Sequence, residues 1–370
     1  MSNRNAIRIG NAEVGNGGAT FVVIELGVTH GNDEELAATM IREAKRAGAD
    51  AVKCEVINPD RLVAADYRDR LEYSYVAYSG KKVVENYYNL IRQVTMPLEM
   101  LARLKRYADE LQMPFFGTAF DFESVDFLKS IGSCAIKLAS PEIVQFPLLD
   151  HAVRSGLPVL LDSGKATTVE IGAAVSRARL QDGAAVVVMH NPSGYPAADK
   201  DVHLRMIPTL QNAFDVPVGL SCHSRGSSVS FAAVGIGADV IEKPVTDDNT
   251  QDGDEHIFSL NIGEIAPFVA TIRQLDLAKG MANRDPELAL ETDHQRNTYR
   301  QSLVAVRDMK AGNRITREDF RFARPGWGIL AADGEKAIGR TIIRSIRADH
   351  TIHWQDLAPA DAVPSNKAKP

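Results

Sequence analysis

Short, nearly continuous apolar runs alternate along this chain with longer stretches in which apolar residues return every three or four positions. The first pattern is that of strands buried on both faces, the second that of amphipathic helices. Eight runs read as strands, at residues 21–27, 49–56, 114–120, 133–140, 158–164, 184–190, 216–223 and 238–246. Between them lie helical segments such as DEELAATMIREAKRA (33–47), with acids in its first turn, bases in its last and Gly48 as a stop. Eight strand–helix repeats over residues 21–280 make the count of a (β/α)8 TIM barrel of the α/β class. A doubly wound open sheet is the rival, because periodicity does not show closure.

The polar residues favour the barrel. Each run is apolar where it starts and polar where it ends: Glu25; Lys53 and Glu55; Thr118 and Asp121; Lys137 and Ser140; Asp162 and Ser163; His190 and Asn191; Ser221 and His223; Glu242 and Lys243. In such barrels the strand ends gather around one cavity, and a purely structural barrel needs no polar ring there. One long interruption, about 58–94, is rich in tyrosine and reads as an extended loop or small helices over one barrel face. The segmentation expected is therefore an N-terminal extension (1–20), a barrel (21–281), a polar linker (282–300), a small β-rich module (301–358) and a disordered tail (359–370). At about 60 residues the module is near the lower limit for folding alone, so it is expected to pack on something.

Composition narrows the function classes. A content of 45% hydrophobic and 24% charged residues is that of a globular protein, and a net charge of −6 offers no broad basic surface for nucleic acid. No apolar run approaches the roughly 18–20 residues of a membrane span. The three cysteines, Cys54, Cys134 and Cys222, are not closely spaced, and the polar start lacks a signal-peptide core, so a reducing, cytoplasmic setting is expected.

Several strand ends resemble motifs of the N-acetylneuraminate (sialic acid) synthase family: IELGVTH (24–30), AGADAVKCE (47–55), KLASPE (137–142), HNPSGYP (190–196) and PVGLSCH (217–223). The small module is similar to the family's antifreeze-like (SAF) domain through RQSLVAVRDMKAGNRITREDF (300–320) and RPGWGI (324–329). The resemblance runs in order over roughly 21–357. It implies an enzyme that joins C3 of phosphoenolpyruvate to the aldehyde of an N-acyl hexosamine or another aldehyde, giving a 2-keto-3-deoxy sugar acid and phosphate. It further implies Glu25, Lys53, Lys137 and His223 in catalysis, and Ser140, Ser193, Tyr195, Ser221 and Glu255 on the substrates; Glu55, a departure from the family motif, is expected beside them as a substrate-binding rim carboxylate. Arg324 would be delivered from the partner's small domain in a homodimer.

The same resemblance implies a divalent ion, manganese or magnesium, held by two histidines. One is present as His223; the other position is Pro244, which cannot ligate. His256 and Cys222 are substitute candidates, although neighbouring strand residues point to opposite faces, so Cys222 and His223 do not both face a cavity without a bend. Charge also changes where the family has neutral residues, at Glu55, Asp162 and Lys165. Two alternatives stay open: metal-independent phosphoenolpyruvate or aldolase-type chemistry, with Lys53 or Lys137 as electrostatic catalyst or Schiff-base former, and a non-catalytic sugar-acid binding protein.

Overall fold

A computed structural model describes residues 6–280 and 292–359, in two compact units, Met1–Gly280 and Met281–Pro370. The expected tail at 360–370, the first five residues and 281–291 lie outside the described residues.

The first unit opens with a hairpin of β1 (Ile7–Ile9) and β2 (Ala12–Val14). Eight parallel strands follow: β3 (Phe21–Glu25), β4 (Ala51–Val56), β7 (Phe115–Ala119), β8 (Ile136–Leu138), β9 (Val159–Asp162), β10 (Val186–His190), β11 (Val218–Ser221) and β12 (Val240–Thr246). Each pairs with the next, and β12 pairs back onto β3, so the sheet closes and the open-sheet rival falls. A two-residue strand, β13 (Leu260–Asn261), adds to the end of β12. All eight strands lie within the runs read from sequence.

The alternation of side chains sorts the strands into layers. Outward residues such as Val22, Ile24, Val52, Leu161 and Ile241 pack against the helices. Inward residues at the strand starts, including Val23, Ala51, Phe116, Leu160, Val187 and Val240, form an apolar plug together with Ile9 and Val14 of the hairpin. One step further along the strands the inward layer turns charged.

The interruption after β4 is more ordered than a loop. It holds a short helix (Pro59–Leu62), a hairpin of β5 (Glu72–Val76) and β6 (Lys82–Asn86), and a helix (Tyr87–Val94) capped by Asn86. The hairpin does not stand out in the sequence because its strands mix one buried tyrosine, Tyr75, with half-buried and exposed neighbours, and two lysines follow the Gly80 turn.

In the second unit β14 (Ser302–Ala305) pairs antiparallel with β15 (Phe320–Ala323). Isolated bridges extend the pairing around a core of Leu303, Ile315, Phe320, Ile329, Ile342 and Ile352. Part of the stretch read as linker is a helix, Asp293–Tyr299, because Thr292 and Gln295 form a reciprocal capping box.

Candidate active site

The charged layer rests on the apolar plug and forms the floor of a cavity of about 450 Å³ at the C-terminal ends of the strands. Its centre is Glu242 on β12, fully buried. One carboxylate oxygen, Oε1, accepts from Lys137 Nζ at 2.5 Å, Ser221 Oγ at 2.8 Å and Lys53 Nζ at 3.4 Å. Lys53 also pairs with Glu25 on the neighbouring strand, and Lys137 pairs with Asp162 Oδ2 at 2.8 Å. Asn191 donates to the same Asp162 oxygen at 2.9 Å. Six strands thus place two ammonium groups, 1% and 3% exposed, side by side beneath the cavity.

Ions buried this deeply persist only when their partners offset desolvation. Burial alone would raise the Glu242 carboxyl, but Lys137 and Lys53 overrule it and hold the group down at about 2. Burial would likewise discharge Lys53, yet Glu242 and Glu25 keep it well above its ordinary value; Asp162 and Glu242 do the same for Lys137. Both lysines are therefore fixed cations. That corrects the Schiff-base alternative, which needs a neutral amine.

Above the floor stands His223, two residues beyond Ser221. Its ring stacks on Tyr195 with centroids 4.6 Å apart and meets Phe258 at 5.3 Å. Burial, then the field of Lys137, pushes the imidazole down to about 3, so it is neutral at any physiological pH. Its Nδ1 is buried without a hydrogen-bond partner among the described residues. Burial and the surrounding carboxylates raise the Tyr195 hydroxyl, which stays protonated.

The wall opposite is acidic. Glu55 ends β4, and Glu255 reaches in behind Gly27, where a Cβ would come within 2.6 Å of its Oε2. Gly27 also has φ +54°, so this backbone position is closed to most side chains on two grounds. Burial pushes the Glu25, Glu55 and Glu255 carboxyls up. Tyr73 of the β5–β6 hairpin donates to Asp254 at 3.3 Å and, with Tyr75 and Tyr87, covers this side.

Of the residues chosen from sequence, Glu25, Lys53, Glu55, Lys137, Ser140, Ser193, Tyr195, His223, Glu255 and His256 all line the one cavity. Ser221 lies just below it, in the Lys137–Glu242 network. Arg324 belongs to the second unit, where its guanidinium lies 5.5 Å from the Tyr299 ring centroid. Lys243 departs from expectation. As a polar strand end it is expected at the cavity, but alternation turns it outward, donating to Ser224 O at 2.5 Å with Cys222 Sγ at 3.9 Å. Cys222 accordingly sits in the outer core and is no metal ligand.

The inherited metal site does not fit these residues. Beside His223, the next strand offers the ring of Pro244, which has no donor atom, in register with Glu25. His256 engages Thr246 Oγ1 through Nδ1 at 2.7 Å. No group of three or more His, Cys, Asp or Glu among the described residues is arranged to hold a metal ion. From sequence, Glu242, Asp162 and Thr118 figure only as polar strand ends without a role, and the three tyrosines only as part of the interruption after β4. The strand phase was the available signal: if Ser221 faces inward, so does Glu242 beside it.

Comparison with known proteins decides the ancestry of this arrangement. Residues 40–284 match the model of the NeuB family, and residues 300–358 that of the SAF domain. The chain belongs to the NeuB family. Among curated NeuB relatives, the N,N'-diacetyllegionaminic acid synthase of Legionella pneumophila is 31% identical over 344 residues, covering 91% of this chain and 94% of the relative. Human N-acetylneuraminate-9-phosphate synthase is 31% identical over 271 residues, 70% of this chain and 71% of the relative. The crystal structure of the N-acetylneuraminic acid (sialic acid) synthetase of Leptospira borgpetersenii in complex with citrate superposes with a TM-score of 0.70 at 30% identity. It covers 80% of this chain and 98% of that one.

Proposed function

We propose that this NeuB-family protein is a C–C bond-forming transferase that condenses phosphoenolpyruvate with an N-acyl hexosamine or other sugar aldehyde. The products are a 2-keto-3-deoxy sugar acid and phosphate. The observation that carries this reading is the pair of fixed ammonium groups, Lys53 and Lys137, held under one cavity by Glu242. A trianionic enol phosphate needs permanent positive charge at its carboxylate and phosphate, and preorganised charge costs no rearrangement during reaction. Ser140 and Ser193 supply hydroxyl donors near the same pole, while Ser221, whose proton goes to Glu242, holds the floor in place.

In the reaction C3 of the enol attacks the aldehyde carbon, forming the C–C bond while the aldehyde oxygen takes up a proton. Water then adds at C2, and the resulting tetrahedral centre collapses with loss of phosphate. Tyr195, held protonated against the neutral ring of His223, is the proton donor facing the cavity. Glu25, raised by burial and touching Lys53, is the group placed to take a proton from the attacking water. Because Pro244 removes a ligand, no step is assigned to a divalent ion. Glu55 and Glu255 face the sugar.

We read the barrel as residues 21–281 and the SAF module as 301–358. The working assembly is a homodimer in which Arg324 of each small domain serves the partner's cavity. No helix among the described residues is long and apolar enough to cross a membrane, and the free, buried Cys54 and Cys222 suit the reducing cytoplasm.

The test is phosphate release by the purified protein from phosphoenolpyruvate and a panel of hexosamine aldehydes, with and without EDTA. Release that needs both substrates and is unchanged by EDTA is expected. Absence of release with every aldehyde overturns the reading, and release abolished by EDTA overturns its metal-free form.

A further inference from the structure

The cavity holds more carboxyl groups than the protein pairs with cations. Carboxylates in its lining outnumber lysines seven to three, no arginine lines it among the described residues, and the partner's Arg324 would still leave the carboxylates in excess. Two of the lysines are committed at the floor, Lys53 to Glu25 and Glu242, Lys137 to Asp162 and Glu242. The third, Lys165, lines the opposite side beside Ser193, whose hydroxyl accepts from its backbone N–H. Among the described residues neither Glu55 nor Glu255 has a cation within ion-pair distance, and the contact of Glu255 Oε2 is the Val28 amide at 3.4 Å.

A second observation points to a ligand. Opposite Glu55 in the β4–β7 register is Thr118, a residue of the cavity lining 1% exposed, whose buried hydroxyl has no hydrogen-bond partner among the described residues. An unpaired buried hydroxyl costs about 1–3 kcal/mol, so a bound group is what completes this wall. The wall is rich in acceptors. A protonated amine offers three donors and no acceptor, whereas an acetamido carbonyl would set one more acceptor against two carboxylates.

We propose that the sugar aldehyde taken by this protein carries a cationic nitrogen, a free amine or an amidine, that pairs with Glu55 and donates to Thr118, with Glu255 adding its charge from the same wall. This rests on the reading of the cavity as a sugar-aldehyde site and names the class of sugar. Burial keeps the two carboxyls raised in the empty site; an incoming cation favours their ionised forms, and the pairs then form out of reach of solvent screening.

Calorimetric titration of the full-length protein with mannosamine and glucosamine, against their N-acetyl forms, at a pH that keeps the amines protonated, tests this directly. The free amines are expected to bind at least tenfold more tightly. Glu55→Gln, which keeps the shape and removes the charge, should cut that preference below threefold, and Glu255→Gln should reduce it less. Equal or tighter binding of the N-acetyl sugars, binding of neither, or a preference that survives both substitutions overturns the proposal. The wild-type comparison stands even if a variant fails to fold. The two readings also fail separately. Phosphate release only with N-acetyl sugars sinks the cationic acceptor and keeps the synthase; tight amine binding with no phosphate release from any aldehyde does the reverse.

Discussion

The two ends of the barrel interior are built from the same strands and obey opposite rules. At the strand starts, Val23, Ala51, Phe116, Leu160, Val187 and Val240 meet Ile9 and Val14 in a sealed apolar plug. Two residues further along, the same strands present Glu25, Lys53, Thr118, Asp162 and Glu242. The apolar layer gains free energy from every methylene it hides. The charged layer gains little, because desolvating Glu25, Lys53, Asp162, Glu242 and the neighbouring Lys137 consumes most of what their pairing returns. What the charged end obtains is geometry: two cations held in place before any substrate arrives. Stability is concentrated at one end and chemistry at the other.

That contrast breaks most visibly at Lys137. Lys137→Met should lower the rate of phosphate release by roughly a thousandfold or more, since it removes preorganised charge from the reacting pole. It should also lower the melting temperature, because Glu242 and Asp162 are left buried without their shared cation. A rate within tenfold of wild type would show that the floor network is only structural. The matching change at the other end is Phe116→Ala. About 3–5 kcal/mol of stability should be lost in denaturant unfolding, with kcat/KM below the melting range within about twofold of wild type.

A subtler effect distinguishes His223 from an ordinary histidine. Its folded value is about 3 against about 6.5 in an unfolded chain, so the unfolded state takes up a proton that the folded state refuses. The stability this contributes is complete above about pH 6.5 and is lost as pH falls towards 3. The melting temperature of His223→Asn should therefore fall less than that of wild type between pH 7 and 4; parallel curves would place the ring in solvent. Lys243 should give the smallest effect. It is buried, its amine is pushed down by burial, and it faces the helices, so Lys243→Met should change stability by about 1 kcal/mol or less and leave phosphate release untouched.

Much of this was legible in the chain. Parallel strands buried on both faces announce themselves as apolar runs, and their polar ends named nine residues of the cavity lining, while the family resemblance added Ser193, Tyr195 and Glu255. Strand phase placed Cys222 and His223 on opposite faces. Applied to β12 as well, it would have turned Lys243 outward and Glu242 inward. The centre of the network was illegible for a different reason: that one oxygen of Glu242 gathers donors from three strands follows from closure and stagger, which no local pattern encodes. The β1–β2 hairpin escaped because three-residue strands carry too little alternation to register, although IRIGNAEV has a Gly-Asn turn at its centre. The β5–β6 hairpin escaped because its faces are only partly buried.

That second hairpin suggests how the protein divides labour over evolutionary time. It is inserted between β4 and β7, pairs only with itself in the sheet topology, and contributes Tyr73 and Tyr75 to the cavity. Nothing in the Lys53–Glu242–Lys137 floor depends on it. A graft of the 72–86 segment from a relative is therefore a natural unit of exchange, one that would redraw the acceptor spectrum while the catalytic chassis stays as it is.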